Sequence, residues 1–369
     1  MATFDKYLEI SINASKEAYK SLIRNMIEEN LDTLLLFREE NIRYVSALRL
    51  IIAIRTMSNS YACIVNKDGV TILANEDEYN RLKDYGSWVN IVKYENEGHI
   101  GKLRQLLKED SKVGYEDLTI TQSLYKELNT YYKLKPASSI ILKTRMIKNS
   151  YEKELIKKGA EILVHAVSEV QKIFRRGMTE TELQGELEKI IREDGAEGFG
   201  TWGLTTSDSG LKYVHYFPLP GKEIKGMFNV NISTIFFGYY SDIARIFSVG
   251  RVSPEIREKY ALFSKLNASL ISELRPGNRT GFIFKKFEIE YQKMSSKLTH
   301  SLGRGIGVEL LEPPFIINGV DEKIMPDETI STNPWLNFND KSFKLVDTLI
   351  VEKDKTKIYT DFPYEIIEI

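Results

Sequence analysis

Across residues 228–250 the chain reads FNVNISTIFFGYYSDIARIFSVG, a pair of apolar strands around a Gly-Tyr-Tyr turn. Whatever the fold, these strands have to be covered, and the second carries one acidic residue, Asp242, among apolar neighbours. A chain of 369 residues is long enough for two domains, each with its own core. Hydrophobic residues at 42% and charged residues at 28% describe an ordinary globular protein. A formal net charge of -1 gives no electrostatic case for nucleic acid or an anionic membrane as partner. The basic pairs Lys157-Lys158 and Arg175-Arg176 are expected on solvated helix surfaces. No signal peptide or membrane span is expected, because residues 1–14 contain acids and the apolar run 48–54 is short and broken by Arg49. The lone cysteine, Cys63, excludes an intrachain disulfide and a cysteine-based zinc site, and the cytoplasm is the expected compartment.

The first part of the chain alternates helix and strand signals. Residues 18–30 have helical periodicity, residues 32–37 are mostly apolar, and residues 61–65 and 70–73 flank a Lys67-Asp68-Gly69 turn as a hairpin does. Further on, Ile156, Ala160, Leu163, Val167, Val170 and Phe174 keep the spacing of one helix face. Thr179 with Glu182 is a capping-box signature for the next helix, which Gly195 would end. Ser253-Pro254 starts a third helix and Arg275-Pro276-Gly277 stops it. Two helices then strands, followed by two helices then strands, suggest a duplicated half.

Further landmarks extend the strand pair. Ser209-Gly210 precedes Val214-His215-Tyr216-Phe217-Pro218; Leu302-Gly303-Arg304-Gly305-Ile306-Gly307 precedes Glu312-Pro313-Pro314; Thr332-Asn333-Pro334 and Lys344-Leu345-Val346-Asp347-Thr348 follow. In order and spacing these resemble the S-G…P-H-Y, G-H-G-I-G, T-I-E-P-G and R-I-E-D-T segments of the pita-bread metallopeptidases, the family of Xaa-Pro dipeptidase (prolidase), aminopeptidase P and creatinase. Leu31-Asp32-Thr33-Leu34-Leu35 and Asn41-Ile42-Arg43-Tyr44 look like the amino-terminal domain of creatinase and prolidase, and Arg145-Met146-Ile147-Lys148 like the R-x-I-K that opens the second domain. The resemblance implies an α/β (α+β) chain: a creatinase-like domain over residues 1–143, a pita-bread domain over 144–369, and a homodimer.

In that family two aspartates, one histidine and two glutamates hold two divalent ions, which generate hydroxide and polarise the scissile carbonyl. The matching positions here are Asn231, Asp242, Arg304, Asn333 and Val346. Asparagine offers a neutral oxygen, valine no ligand, and arginine no acceptor at all. The additional histidine before Glu-Pro is Leu311. Asp347 neighbours Val346 and should face the other way. Asp321, Glu322, Asp327 and Glu328 are expected to be solvated. No metal and no cofactor is therefore expected. Arg304 is expected to pair with Asp242, with Asn231 and Asn333 supplying carbonyl oxygens.

Among the four histidines, His215 matches one that faces the cleft and moves protons in relatives, against the alternative of a histidine held by a backbone carbonyl. His300 is a lesser candidate, and His99 in a polar loop and His165 on a helix are expected to do nothing chemical. Tyr213, Tyr216, Phe217 and Trp335 lie near the cleft landmarks, where packing is the expected role for most. The expected ligand pocket is His215, Asn231, Asp242, Arg304 and Asn333. Three functions compete: a pseudo-enzyme that binds a peptide, small carboxylate or protein, as the peptidase-like domain of a eukaryotic histone chaperone does; a metal-independent hydrolase like creatinase, using His215; and an orthodox Xaa-Pro dipeptidase.

Overall fold

The structure, a computed structural model, describes the chain apart from residues 1, 51–60, 85–87, 109, 201–203, 208–216, 295–297, 299 and 339–340. It divides into two compact units, Met1–Arg145 with Asn149–Glu152, and Met146–Lys148 with Lys153–Ile369.

The first unit carries a six-stranded mixed sheet in the order Asn90–Lys93, Gly69–Ala74, Ala62–Asn66, Thr33–Leu36, Val113–Tyr115, Leu134–Pro136. Thr33–Leu36 is buried along its whole length, which explains an apolar run without alternation. Ala62–Asn66 and Gly69–Ala74 form the expected hairpin, paired from Asn66↔Gly69 to Ala62↔Leu73. The helix Ala2–Glu28 begins well before the expected 18–30 stretch and buries Ile10, Ala14, Ala18, Leu22 and Met26 at four-residue spacing. Inside this unit Arg145 Nη1 donates to Asn41 Oδ1 at 2.7 Å, and the Asn41 amide donates in turn to the buried Glu116 carboxylate. Glu116 also accepts from the backbone N–H groups of Phe37 and Arg38, so its charge is spent on holding the loop after Thr33–Leu36.

The second unit is built on a nine-stranded sheet whose main run is Glu312–Ile316, Gly303–Gly305, Thr329–Thr332, Val346–Val351, Tyr239–Ser248, Met227–Phe236, Leu204–Ser207. Helices Ser150–Ser168 and Glu180–Glu193 precede one half, and Pro254–Glu273 and Thr280–Lys293 the other. Both bonds of the Thr179–Glu182 capping box form, and Ser253 caps the helix that opens with Pro254. The Ser150–Ser168 helix stops short of the expected stripe, and Phe174 instead stacks on Phe228 at 5.8 Å between ring centroids. Phe263, Phe284, Phe287 and Tyr291 from the later helices pack with Ile330, Leu349 and Phe343 in one core.

The long strand pair runs from Met227↔Ser248 to Phe236↔Tyr239. Its turn is Phe237-Gly238 rather than Gly-Tyr-Tyr, with φ of 47° and 87°. A two-residue turn with both central residues at positive φ matches the strand twist, and glycine takes one of them without steric conflict. Glu328 departs from expectation: it is fully buried, because the chain there leads straight into Thr329–Thr332 and bridges to Ile147. Asp321 is exposed as expected, paired with Arg279 at 2.7 Å. Among the described residues no helix is long and apolar enough to cross a membrane.

Candidate functional site

The sheet of the second unit brings the matching positions to one face. Register places Asn231 across from Ala244, and Ala244 across from Val346. Ser331 sits opposite both Arg304 and Thr348. Residues directly across strands share a face, as do residues two apart on one strand. Asn231, Asp242, Val346, Thr348, Ser331 and Arg304 therefore look to the same side. Asn333, two residues past Ser331, continues the row just beyond its strand, its N–H bonded to Leu302 O at 2.8 Å.

Arg304 Nη2 donates to Asp242 Oδ2 at 2.7 Å, and the two residues are only 8% and 4% exposed. Thr348 holds the carboxylate from the other side: its hydroxyl lies 3.2 Å from Asp242 Oδ1 and accepts from Asp242 N at 2.9 Å. The remaining bonds of Arg304 differ from the expected ones. Nη1 donates to Ser331 Oγ at 3.0 Å and Nε to Leu310 O at 3.0 Å, not to Asn231 or Asn333. Ser331 wins because it is the direct cross-strand neighbour. Gly305 is required beside it: a Cβ there would overlap the Pro313 carbonyl, so the strand can press against Glu312–Ile316 only without a side chain.

The opposite face is closed by a second ion pair. Arg245 Nη2 donates to Asp347 Oδ1 at 2.7 Å, both fully buried, and Thr360 Oγ1 and Tyr364 OH each donate to the same carboxylate at 3.0 Å. Asp347 thus turns away from Val346, as strand alternation requires.

Lys344 is the residue that sequence reasoning passed over, treating it only as a landmark. It is 4% exposed, with its ammonium in electrostatic range of Arg304 and Asp242. Burial pushes its pKa down to about 7, the Arg304 charge adds to that, and Asp242 opposes it. Its offset of two from Val346 was the available signal. Close by in sequence to the Arg304 loop, Glu312 forms a buried pair with Lys148 at 3.2 Å, while Leu311 is exposed.

His215, with Tyr213 and Tyr216, lies outside the described residues. Phe217 is exposed. Trp335 stacks on His300 at 3.5 Å and 14°, and its backbone N–H donates to His300 Nε2 at 3.1 Å. His300 is therefore packed and hydrogen-bonded within this aromatic group. His99 belongs to the helix Gly98–Leu106 rather than a loop, and His165 Nδ1 lies 2.6 Å from Asp194 Oδ2 on the surface. Among the described residues no group of three His, Cys, Asp or Glu side chains is placed to hold a metal ion.

The sequence model of metallopeptidase family M24 matches residues 154–353, and that of the creatinase/prolidase N-terminal domain matches residues 19–147. The chain is 25% identical over 324 residues to the Xaa-Pro dipeptidase of Pyrococcus furiosus, covering 86% of this chain and 89% of that one. With the Xaa-Pro dipeptidase of Pyrococcus horikoshii it shares 22% identity over 360 residues, covering 95% and 99%. The structure of Xaa-Pro dipeptidase from Bacillus anthracis superposes with a TM-score of 0.86 at 22% identity, over 96% of this chain and all of that one. The N-terminal domain of FACT complex subunit SPT16 from Cicer arietinum superposes with a TM-score of 0.74 at 15% identity, over 96% and 98%. The architecture is accordingly a creatinase-like domain followed by a pita-bread domain.

Proposed function

The chain belongs to metallopeptidase family M24, and we propose that it is a Xaa-Pro dipeptidase-like member that has lost the dinuclear metal site and acts as a pseudo-peptidase, binding a peptide, a small anion or a protein. The observation that carries this reading is the Arg304–Asp242 pair. At the five matching positions the donor set does not fit two divalent ions: Asp242 is the sole carboxylate, and its oxygens are taken by Arg304 and Thr348. One carboxylate holds a divalent cation poorly, and a fixed guanidinium repels it. The same fold also occurs in the N-terminal domain of FACT complex subunit SPT16, which supports a binding role.

The test is elemental analysis after incubation with manganese, cobalt or zinc and exhaustive dialysis, alongside hydrolysis of Xaa-Pro dipeptides with and without chelator. No retained metal and no turnover is expected. About two ions per chain with chelator-sensitive cleavage would overturn the reading. Turnover that ignores chelator and disappears in His215→Ala would favour the creatinase-like alternative instead. A homodimer is part of the same proposal, supported by the match of the first unit to the creatinase/prolidase N-terminal domain, and light scattering decides it.

A further inference from the structure

We propose that Lys344, Arg304, Asn231 and Asn333 form a receptor for a single carboxylate group of a small organic acid or peptide, with Lys344 as its counter-charge. This deepens the non-metal reading above and rests on it.

The donors on this face outnumber the acceptors. Arg304 has five N–H groups, and three are used, on Leu310 O, Ser331 Oγ and Asp242 Oδ2. Lys344 adds three more, on a residue that is 4% exposed and in electrostatic range of Arg304 and Asp242. The half-buried side chains of Asn231 and Asn333 lie along the same row. Two cations enclosed beside a single carboxylate are unfavourable by themselves. An incoming oxyanion would accept from Lys344 and from the two remaining Arg304 N–H groups, and the asparagine amides can donate to its rim.

Charge and shape narrow the ligand class. With Lys344 protonated, Arg304 and Lys344 carry two positive charges against the one negative charge of Asp242, so a monoanion that holds the lysine in its charged form brings the group to neutrality. A phosphate dianion or a second carboxylate would leave an excess of negative charge in a buried place. Ala244 and Val346 lie in the same row between the polar residues and offer carbon to carbon, which suits an organic acid over an inorganic ion.

Thermal shift and isothermal titration of the full chain with glycyl-proline, its C-terminal amide, acetate and inorganic phosphate test the proposal. Glycyl-proline or acetate should bind, while the amide and phosphate bind at least tenfold more weakly. Lys344→Met should weaken carboxylate binding by tenfold or more while keeping or raising the melting temperature, which a merely structural lysine would not do. Equal binding of phosphate, equal binding of the amide, undiminished carboxylate binding by Lys344→Met, or no binding of either carboxylate would each overturn it. Metal uptake in the preceding experiment would instead remove the reading on which it stands, so the two failures are distinct.

Discussion

Asp242→Ala removes the carboxylate that pairs with Arg304, the sole acidic residue at the five matching positions. Three losses follow from the geometry. The 2.7 Å charge-assisted bond disappears, about 1.5–3 kcal/mol on its own. A guanidinium in a residue only 8% exposed keeps two neutral acceptors and no anion. Lys344 loses the one charge that opposes its desolvation. Breaking a buried pair in this way costs about 3–5 kcal/mol, and at about 2–4 °C per kcal/mol for a unit of this size the melting temperature should fall by about 6–20 °C. Calorimetry of the variant against the parent chain gives the number. The double variant Asp242→Ala/Arg304→Met should recover much of the loss, because no stranded guanidinium remains, and the cycle should show a coupling above about 2 kcal/mol. A single-variant loss below about 1 kcal/mol, the size of an exposed pair, would refute the view that this bond organises the site.

The buried Glu328 and Lys344 should bend the stability curve in opposite directions. Both Glu328 carboxylate oxygens are buried without a well-formed hydrogen bond among the described residues, and burial raises the pKa from 4.5 to about 7 against the pull of the nearby Met325 backbone and of Lys148. Over that window the folded state holds a proton the unfolded state has released, so stability falls as pH rises, by about 1.4 kcal/mol per unit at most. For Lys344, lowered from 10.5 to about 7, the unfolded state holds the extra proton above pH 7 and stability rises again. Urea titrations across pH should show Glu328→Gln flattening the first limb and Lys344→Met the second; unchanged slopes would show that neither group titrates as described. Asp347→Asn, which leaves fully buried Arg245 without its anion, should cost about 3–5 kcal/mol in the same assay, and a loss under about 1 kcal/mol would contradict the burial. Thr179→Ala should cost about 1 kcal/mol through loss of the capping box, with no effect on ligand binding.

Much of this was legible because it depends on local rules. The capping box at Thr179, the Ser253-Pro254 helix start and the 62–74 hairpin follow from residues in contact along the chain. The Arg304–Asp242 pair could be anticipated although the residues are 62 apart, since the landmarks around each set the register. The partners of Arg304 could not: Ser331 and Leu310 are chosen by cross-strand position and loop path, which composition does not encode. Glu328 and Lys344 were missed for a related reason. Glu328, between Asp327 and Thr329, reads as solvated, and Lys344, between Phe343 and Leu345, served only as a landmark; only the tertiary sheet shows that both are enclosed. The turn starts one residue earlier than expected because glycine marks a hairpin without saying which side of it the pairing resumes.

Asp242 and Arg245 lie three residues apart on one strand and point to opposite sides, each locked to a different partner. A slip of that strand by a single residue would carry Arg245 toward Arg304 and Asp242 toward Asp347, setting like charge against like on both faces. The two pairs thus act as a two-sided key: a one-residue slip of the central strand is penalised twice, by repulsion above and below the sheet, before apolar packing is even considered. Alignment of the strands in this unit is written into the chain's own charges.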